Sequence, residues 1–224
     1  MQIYPTKVPR FIQKAFPGAI WKSQVSEKSE IFLTFDDGPN NYTTPLICDI
    51  LGDNNVKATF FLTGENIPKA QQALERMVAD GHLIGNHGFR HVAGWKLDKR
   101  TFLDNVIRGY EITGSKLFRP PFGQITPGQY TLIKDQCSLI MWTIMPGDFH
   151  QNTSADMCLK RIVNNIQPGD IIVLHDQQLL EKKIEKYLPR LIEVLSNKGF
   201  EFGLVENVVG HKRTEHSSYA TIRE

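Results

Sequence analysis

The 224-residue chain is poor in the features that mark several common protein classes. It has only three cysteines, Cys48, Cys137 and Cys158, which are odd in number, widely spaced and without a C-x-x-C pair. That excludes a disulfide framework and a thiolate zinc knuckle, and leaves the three as small buried hydrophobes. Long apolar runs are missing too. The stretch from Met1 to Trp21 is broken by Pro5, Lys7, Pro9, Arg10, Lys14 and Pro17, so neither a secretory signal nor a transmembrane helix is read there. By sequence alone this points to the cytoplasm. Charge of one sign is not in excess either: 26 Lys+Arg against 24 Asp+Glu gives +2 with no basic block, so no nucleic-acid partner is expected.

What remains is an ordinary globular composition, 41% apolar and 22% charged, enough for one large domain with a full core, expected to be a monomer. Apolar periodicity alternates strand and helix, the pattern of a mostly parallel sheet. Strands are expected over 30–35, 58–63, 82–85, 116–118, 138–142, 170–174 and 200–204. Helices are expected over 44–51, 67–79, 98–113, 126–135, 154–166 and 180–197, several of them stopped by Gly81, Gly114, Pro168-Gly169 or Gly199. Thr153 and Ser154 are both N-cap candidates for the fifth helix. The expected fold is α/β, a distorted seven-unit (β/α) barrel forming a single domain over 30–205. An N-terminal extension, 1–29, is expected to pack on the barrel, with lying on a membrane surface as an amphipathic anchor the alternative; a polar C-terminal tail occupies 206–224.

On this scaffold the polar residues fall in one place. Asp36 and Asp37 follow the first strand, His87 and His91 the third, Arg119 the fourth, Asp148 the fifth and His175 the sixth. The carboxyl ends of parallel strands share one edge, where barrel enzymes build active sites. An aspartate with two histidines four residues apart, on a helical turn or in a tight glycine loop, suffices for a catalytic zinc that keeps a position open for water. Side chains alternate along a strand, so Asp36 and Asp37 can serve one site only if the strand ends there and Gly38-Pro39 redirects the chain. One carboxylate would then hold the metal and the other act as general base. Arg119-Pro120-Pro121-Phe122-Gly123 forms a rigid loop in which Arg119 would orient the free aspartate through a bidentate bond and the Phe122 N–H would meet a developing oxyanion. His175, at the end of a buried apolar run, is the natural general acid, with Asp148 placed to keep it protonated. Trp95, an aromatic four residues after His91, is a candidate for contact with the substrate, with rim or core packing as the alternative.

These motifs, in this order, resemble the carbohydrate esterase family 4 polysaccharide deacetylases (the NodB homology domain) over residues 30–205. The resemblance implies Asp36 as base, Asp37, His87 and His91 as metal ligands, Arg119 orienting the base, Asp148 as the acidic residue of the fourth motif and His175 as acid. It implies one divalent metal, Zn2+ first, with Co2+ and Ni2+ as alternatives. It also implies hydrolysis of N-acetyl groups, with O-acetyl groups a variant, from a glycan such as peptidoglycan or a chitin-like polymer in the envelope or outside the cell. Gly88, Met145, Phe149 and Val173 depart from the family pattern. The rival readings are a glycan-binding module without turnover and an amidohydrolase acting on small amides or cyclic imides.

Overall fold

A computed structural model describes residues 6–23 and 29–208. Seven strands, β1 Glu30–Asp36, β2 Thr59–Leu62, β3 Leu83–Asn86, β4 Leu117–Phe118, β5 Ser138–Leu139, β6 Ile171–His175 and β7 Glu201–Phe202, form a parallel sheet. Six of them run in the order β5-β4-β3-β2-β1-β6, and β7 pairs with the first residues of β1. The helices are α1 Arg10–Lys14, α2 Thr43–Asp53, α3 Gln71–Ala79, α4 Lys99–Thr113, α5 Pro127–Ile133, α6 Ala155–Val163 and α7 Glu181–Asn197. This is a single α/β domain whose sheet curls into part of a barrel.

β1 and β6 sit side by side, with β6 at the end of the six-strand order, and their apolar residues are buried throughout. Strands covered on both faces have no solvent side to make polar, which is why Ile31–Phe35 and Ile171–Leu174 read as near-continuous apolar runs. The helices are amphipathic; α7 turns Ile184, Tyr187, Leu188, Leu191, Ile192 and Leu195 inward. Side chains and a glycine cap the helix ends. Asp98 accepts from the N–H groups of Arg100 and Thr101, Ser154 (not Thr153) accepts from Met157 N–H, and α4 stops at Gly114 with φ 66°.

Two elements differ from the sequence expectation. The helix expected over 67–79 is a 3-10 helix, Gly64–Lys69, broken from α3 at Ala70 (φ −139°, ψ 44°). Pro68 has no N–H to continue an α-helical ladder, and the break at Ala70 follows two residues on. The strand expected over 138–142 pairs as β5 for two residues only. Beyond it the backbone divides its bonds: Ile140 N–H to Phe118 O, Met141 N–H to Ile20 O, Thr143 N–H to Ile171 O.

Ile144 makes a single parallel bridge to Ile172, so β5 and β6 are joined across the barrel's gap by the segment between them. Residues 6–23 run over this gap, with bridges Lys7–Ile144, Ile20–Ile140 and Lys22–Asp170. Phe16, Ile20 and Trp21 pack against the core cluster around Phe118, Ile140 and Trp142. The side chain of Phe11 and the tail beyond 208 lie outside the described residues. No described helix is long and apolar enough to cross a membrane. Burial pushes the thiols of Cys48, Cys137 and Cys158 each up to about 12.

Candidate active site

β1 ends at Asp36, and the next residue does the turning. Asp37 adopts φ 81°, a left-handed conformation that breaks the alternation of the strand and brings its carboxylate to the same cavity as that of Asp36. Glycine is needed immediately after, because a Cβ on Gly38 would collide with the Asp176 carboxylate. The turn therefore starts one residue earlier than Gly38-Pro39.

His87 and His91 leave the end of β3 in a loop, without helical structure. Gly88, at φ 82°, lets the chain fold back so that both rings meet Asp37. His87 Nε2 lies 3.5 Å and His91 Nε2 2.9 Å from Asp37 Oδ1. His87 Nδ1 lies 2.8 Å from the carbonyl of Arg119, which fixes the proton on Nδ1 and leaves the Nε2 lone pair for a ligand. Asp37 Oδ1 is buried, and although both imidazoles are within ion-pair range it accepts no hydrogen bond of proper geometry. Burial would raise the Asp37 pKa, but the two imidazoles and the charge of His175 outweigh it and hold the carboxylate well below its usual range. An ionised carboxylate oxygen without a hydrogen-bond donor, facing two imidazole nitrogens within 4.8 Å of one another, is a donor set suited to a divalent cation.

Asp36, 3% exposed, is held from the opposite wall by Arg119, which is fully buried. Arg119 Nη1 donates to Asp36 Oδ1 and to Thr34 Oγ1, both at 2.7 Å. Nε and Nη2 donate instead to the carbonyls of Ile140 (3.2 Å) and Met141 (3.0 Å). The contact with Asp36 is therefore single, correcting the bidentate expectation: the other guanidinium donors are taken up by the irregular backbone after β5. Burial depresses the pKa of Arg119 and the Asp36 charge opposes that. No described residue donates to Asp36 Oδ2.

His175 stands at the end of β6, with Nδ1 2.9 Å from Asp148 Oδ1 while its own N–H donates to Asp148 Oδ2 at 2.8 Å. Burial disfavours the imidazolium, but Asp148, with help from Asp37 and Asp36, more than compensates and raises the pKa to about 9. Lys183 on α7 donates to the carbonyls of Asp148 (2.6 Å) and His150 (2.7 Å), pinning that loop to the helix.

A cavity of about 230 Å³ opens among these groups, lined by Asp36, Asp37, His87, His91 and His175 on its polar side. Phe122 and Trp142 contribute apolar wall, as do Met145, Phe149 and Val173. Arg119 and Asp148 stand behind it. Trp95 is outside the cavity and 61% exposed on the loop after His91; Phe122, 58% exposed, lies against the His91 ring with centroids 4.4 Å apart.

The sequence profile of the family described as polysaccharide deacetylase matches residues 23–135. The chain belongs to that family. A peptidoglycan-N-acetylglucosamine deacetylase of Bacillus cereus is 35% identical over 184 residues, covering 78% of this chain and 66% of that protein, so the chain spans just under two thirds of this relative. A second peptidoglycan-N-acetylglucosamine deacetylase of the same organism is 28% identical, covering 86% and 93%. A solved peptidoglycan N-acetylglucosamine deacetylase in complex with 4-naphthalen-1-yl-N-oxidanyl-benzamide superposes with TM-score 0.79 at 30% identity, covering 89% of this chain and 95% of that one. A family 4 pseudoenzyme from Bacillus anthracis also superposes, with TM-score 0.75 at 25% identity, covering 86% and 69%.

For a polysaccharide deacetylase, the four departures now have structural settings. The loop that carries His87 and His91 is steadied by asparagines: Asn86 Oδ1 accepts from Gly88 N–H at 2.7 Å, and Asn105 on α4 accepts from Arg90 N–H at 2.7 Å and donates to Arg90 O at 3.1 Å. Phe149 covers the His175 ring edge-on, centroids 4.7 Å apart, and Met145 and Val173 complete the apolar wall. Sequence reading missed Asn86, Asn105, Lys183 and Gln177; the only signal for the asparagines was polar residues at positions the pattern makes buried. A second convergence, Cys48, Asp80 and His82, lies at the opposite edge of the sheet. There Ala58 N–H donates to His82 Nδ1 at 3.3 Å, placing the imidazole proton on Nε2, and Arg76 holds Asp80 at 2.6 Å. Burial, with Lys57 next, lowers His82 to about 4, which leaves its imidazole uncharged at neutral pH, while Asp80 is engaged in an ion pair with Arg76.

Proposed function

We propose that the protein is a metal-dependent hydrolase that removes N-acetyl groups from a polysaccharide such as peptidoglycan or a chitin-like glycan, releasing acetate. The observation that carries this reading is that Asp36 and His175 face one cavity, each backed by a buried partner of opposite charge, beside the Asp37-His87-His91 donor set. Carboxylate and imidazole in differently tuned environments are the ingredients of paired base and acid catalysis.

Asp37, His87 and His91 would hold the cation, which when bound polarises the acetyl carbonyl and acidifies the attacking water. Zn2+ suits a two-histidine, one-carboxylate donor set. Asp36, with Oδ1 fixed by Arg119, presents Oδ2 to take the water's proton. The Phe122 N–H, in a backbone held at φ 59°, is assigned to the oxyanion. His175, protonated beside Asp148, delivers a proton to the departing nitrogen, so that an amine leaves in place of an amide anion. The apolar wall of Trp142, Met145, Phe149 and Val173 suits the acetyl methyl. Tyr42, Trp95, Phe122 and Leu179, the four most exposed large apolar side chains described, all follow strands on this same edge, and Trp95 is assigned to a sugar of the chain beyond the cavity.

The test measures metal content and acetate release on a panel of acetylated glycans, with Asp36→Asn and His87→Ala as controls. Metal-dependent release abolished in both variants is the expected result. Turnover surviving in both would overturn the mechanism, and binding of glycan without acetate would select the turnover-less module instead.

A further inference from the structure

Asp37 has two oxygens, and only one faces the histidines. The other, Oδ2, accepts a hydrogen bond of 2.6 Å from the side-chain amide of Gln177. From this we infer that Gln177 is a positioning residue for the metal site, fixing the rotation of the Asp37 carboxylate so that Oδ1 alone is offered to the cation.

The placement of Gln177 follows from the sheet. Asp36 and His175 are register partners on β1 and β6, and the ladder continues one step beyond the strands through Asp176 N–H to Asp36 O at 2.8 Å. That step sets Gln177 beside the turn at Asp37. The intervening Asp176 is buried and locks the backbone, its carboxylate accepting from Asn40 Nδ2 at 2.8 Å and from the hydroxyls of Thr43 and Thr44 at the start of α2. Gln177 thus projects from a braced segment and lines both the active-site cavity and a neighbouring polar cleft, forming part of the wall between them.

The chemistry suits an amide. A lysine or arginine in this place would neutralise part of the charge that attracts the cation, whereas a neutral N–H donor orients the carboxylate and leaves its full charge to the site. The bond also holds Oδ2 away from the second mode of binding open to a carboxylate, with both oxygens on one ion. Groups that hydrogen-bond to metal ligands typically contribute about 10–100-fold to metal affinity.

This inference rests on Asp37 being a metal ligand, and its test reads metal binding in place of turnover. Zn2+ affinity is measured by chelator competition in wild type, Gln177→Leu, Gln177→Asn and the exposed neighbour Gln178→Ala, together with the visible spectrum of the Co2+-loaded forms and the melting temperature of each metal-free protein. The expected result is a loss of affinity of about 10–100-fold in both Gln177 variants, an altered Co2+ spectrum and no change in Gln178→Ala. Gln177→Asn is kept as the milder variant should Gln177→Leu fold poorly. Affinity and spectrum equal to wild type in a folded Gln177 variant would overturn the inference, as would lower metal-free stability with an unaltered Co2+ spectrum. If the wild type binds no ion through Asp37 and the two histidines, the reading beneath it falls as well.

Discussion

Asp36 and His175 are paired across two neighbouring parallel strands, Cα opposite Cα at the last residue of each. Residues in register on adjacent strands point to the same face. The proposed base and the proposed acid are therefore placed side by side by the β1–β6 hydrogen-bond ladder, and their separate tuning comes from what stands behind each: Arg119 for one, Asp148 for the other.

Removing the proposed base and acid tests this arrangement. Asp36→Asn and His175→Ala should each lower kcat by about 10²–10⁴-fold, the usual contribution of a positioned acid or base. Metal content, measured on the same preparations, should stay at the wild-type level because neither residue belongs to the Asp37-His87-His91 set.

The imidazole's titration gives a second test. In metal-free protein, His175 followed by NMR should titrate near its raised value of about 9. A pKa raised on folding stabilises the native state fully below the unfolded value of about 6.5, and that contribution is lost as pH rises through the folded value. Metal-free protein should accordingly lose urea resistance between about pH 6.5 and 9. Asp148→Asn should abolish this loss and shift the alkaline limb of activity to lower pH.

Metal binding should stabilise the fold. With free Zn2+ at about 100 times its Kd, mass action adds about 2.7 kcal/mol. For a domain of this size that raises Tm by roughly 5–11 °C, at about 2–4 °C per kcal/mol. His91→Ala should abolish the increment in a thermal melt, and a chelator should remove it from wild type.

Gly88 supplies a less intuitive expectation. The family resemblance places Ser or Thr at this position as the usual residue, yet introducing a hydroxyl there should harm this chain. A Cβ at Gly88 would stand 2.7 Å from Asn105 Nδ2 on a backbone with φ 82°. Gly88→Ser should cost about 1–3 kcal/mol by chemical denaturation, the range for a strained conformation. Adding Asn105→Ala should recover part of that loss by opening space, although the loop then lacks its Asn105 bonds.

The contrast between Gly88 and Asp37 also shows what sequence could tell. Strand and helix periodicity brought Asp36, Asp37, His87, His91, Arg119, Asp148 and His175 to one edge, because every residue that follows a parallel strand arrives there whatever the details of packing. It failed where neighbours decide. Asn105 sits in the middle of α4 and looks like any half-turned polar residue until the ligand loop folds against it. Gln177 acquires its role only when β6 lies beside β1. The single Arg119–Asp36 contact depends on the carbonyls of Ile140 and Met141, just past the end of β5, where Met141 N–H is bonded to Ile20 O of the N-terminal segment.

The three thiols, with pKa values pushed up to about 12, have a practical corollary for spectroscopy. At neutral pH almost none of their sulfur is thiolate, the form that alkylating reagents attack. The native chain is thus a quiet background for one introduced cysteine, and Leu179, 90% exposed on the loop that follows His175, offers a position for it. A fluorophore or spin label there would report arrivals at the rim without replacing any residue of the proposed metal site.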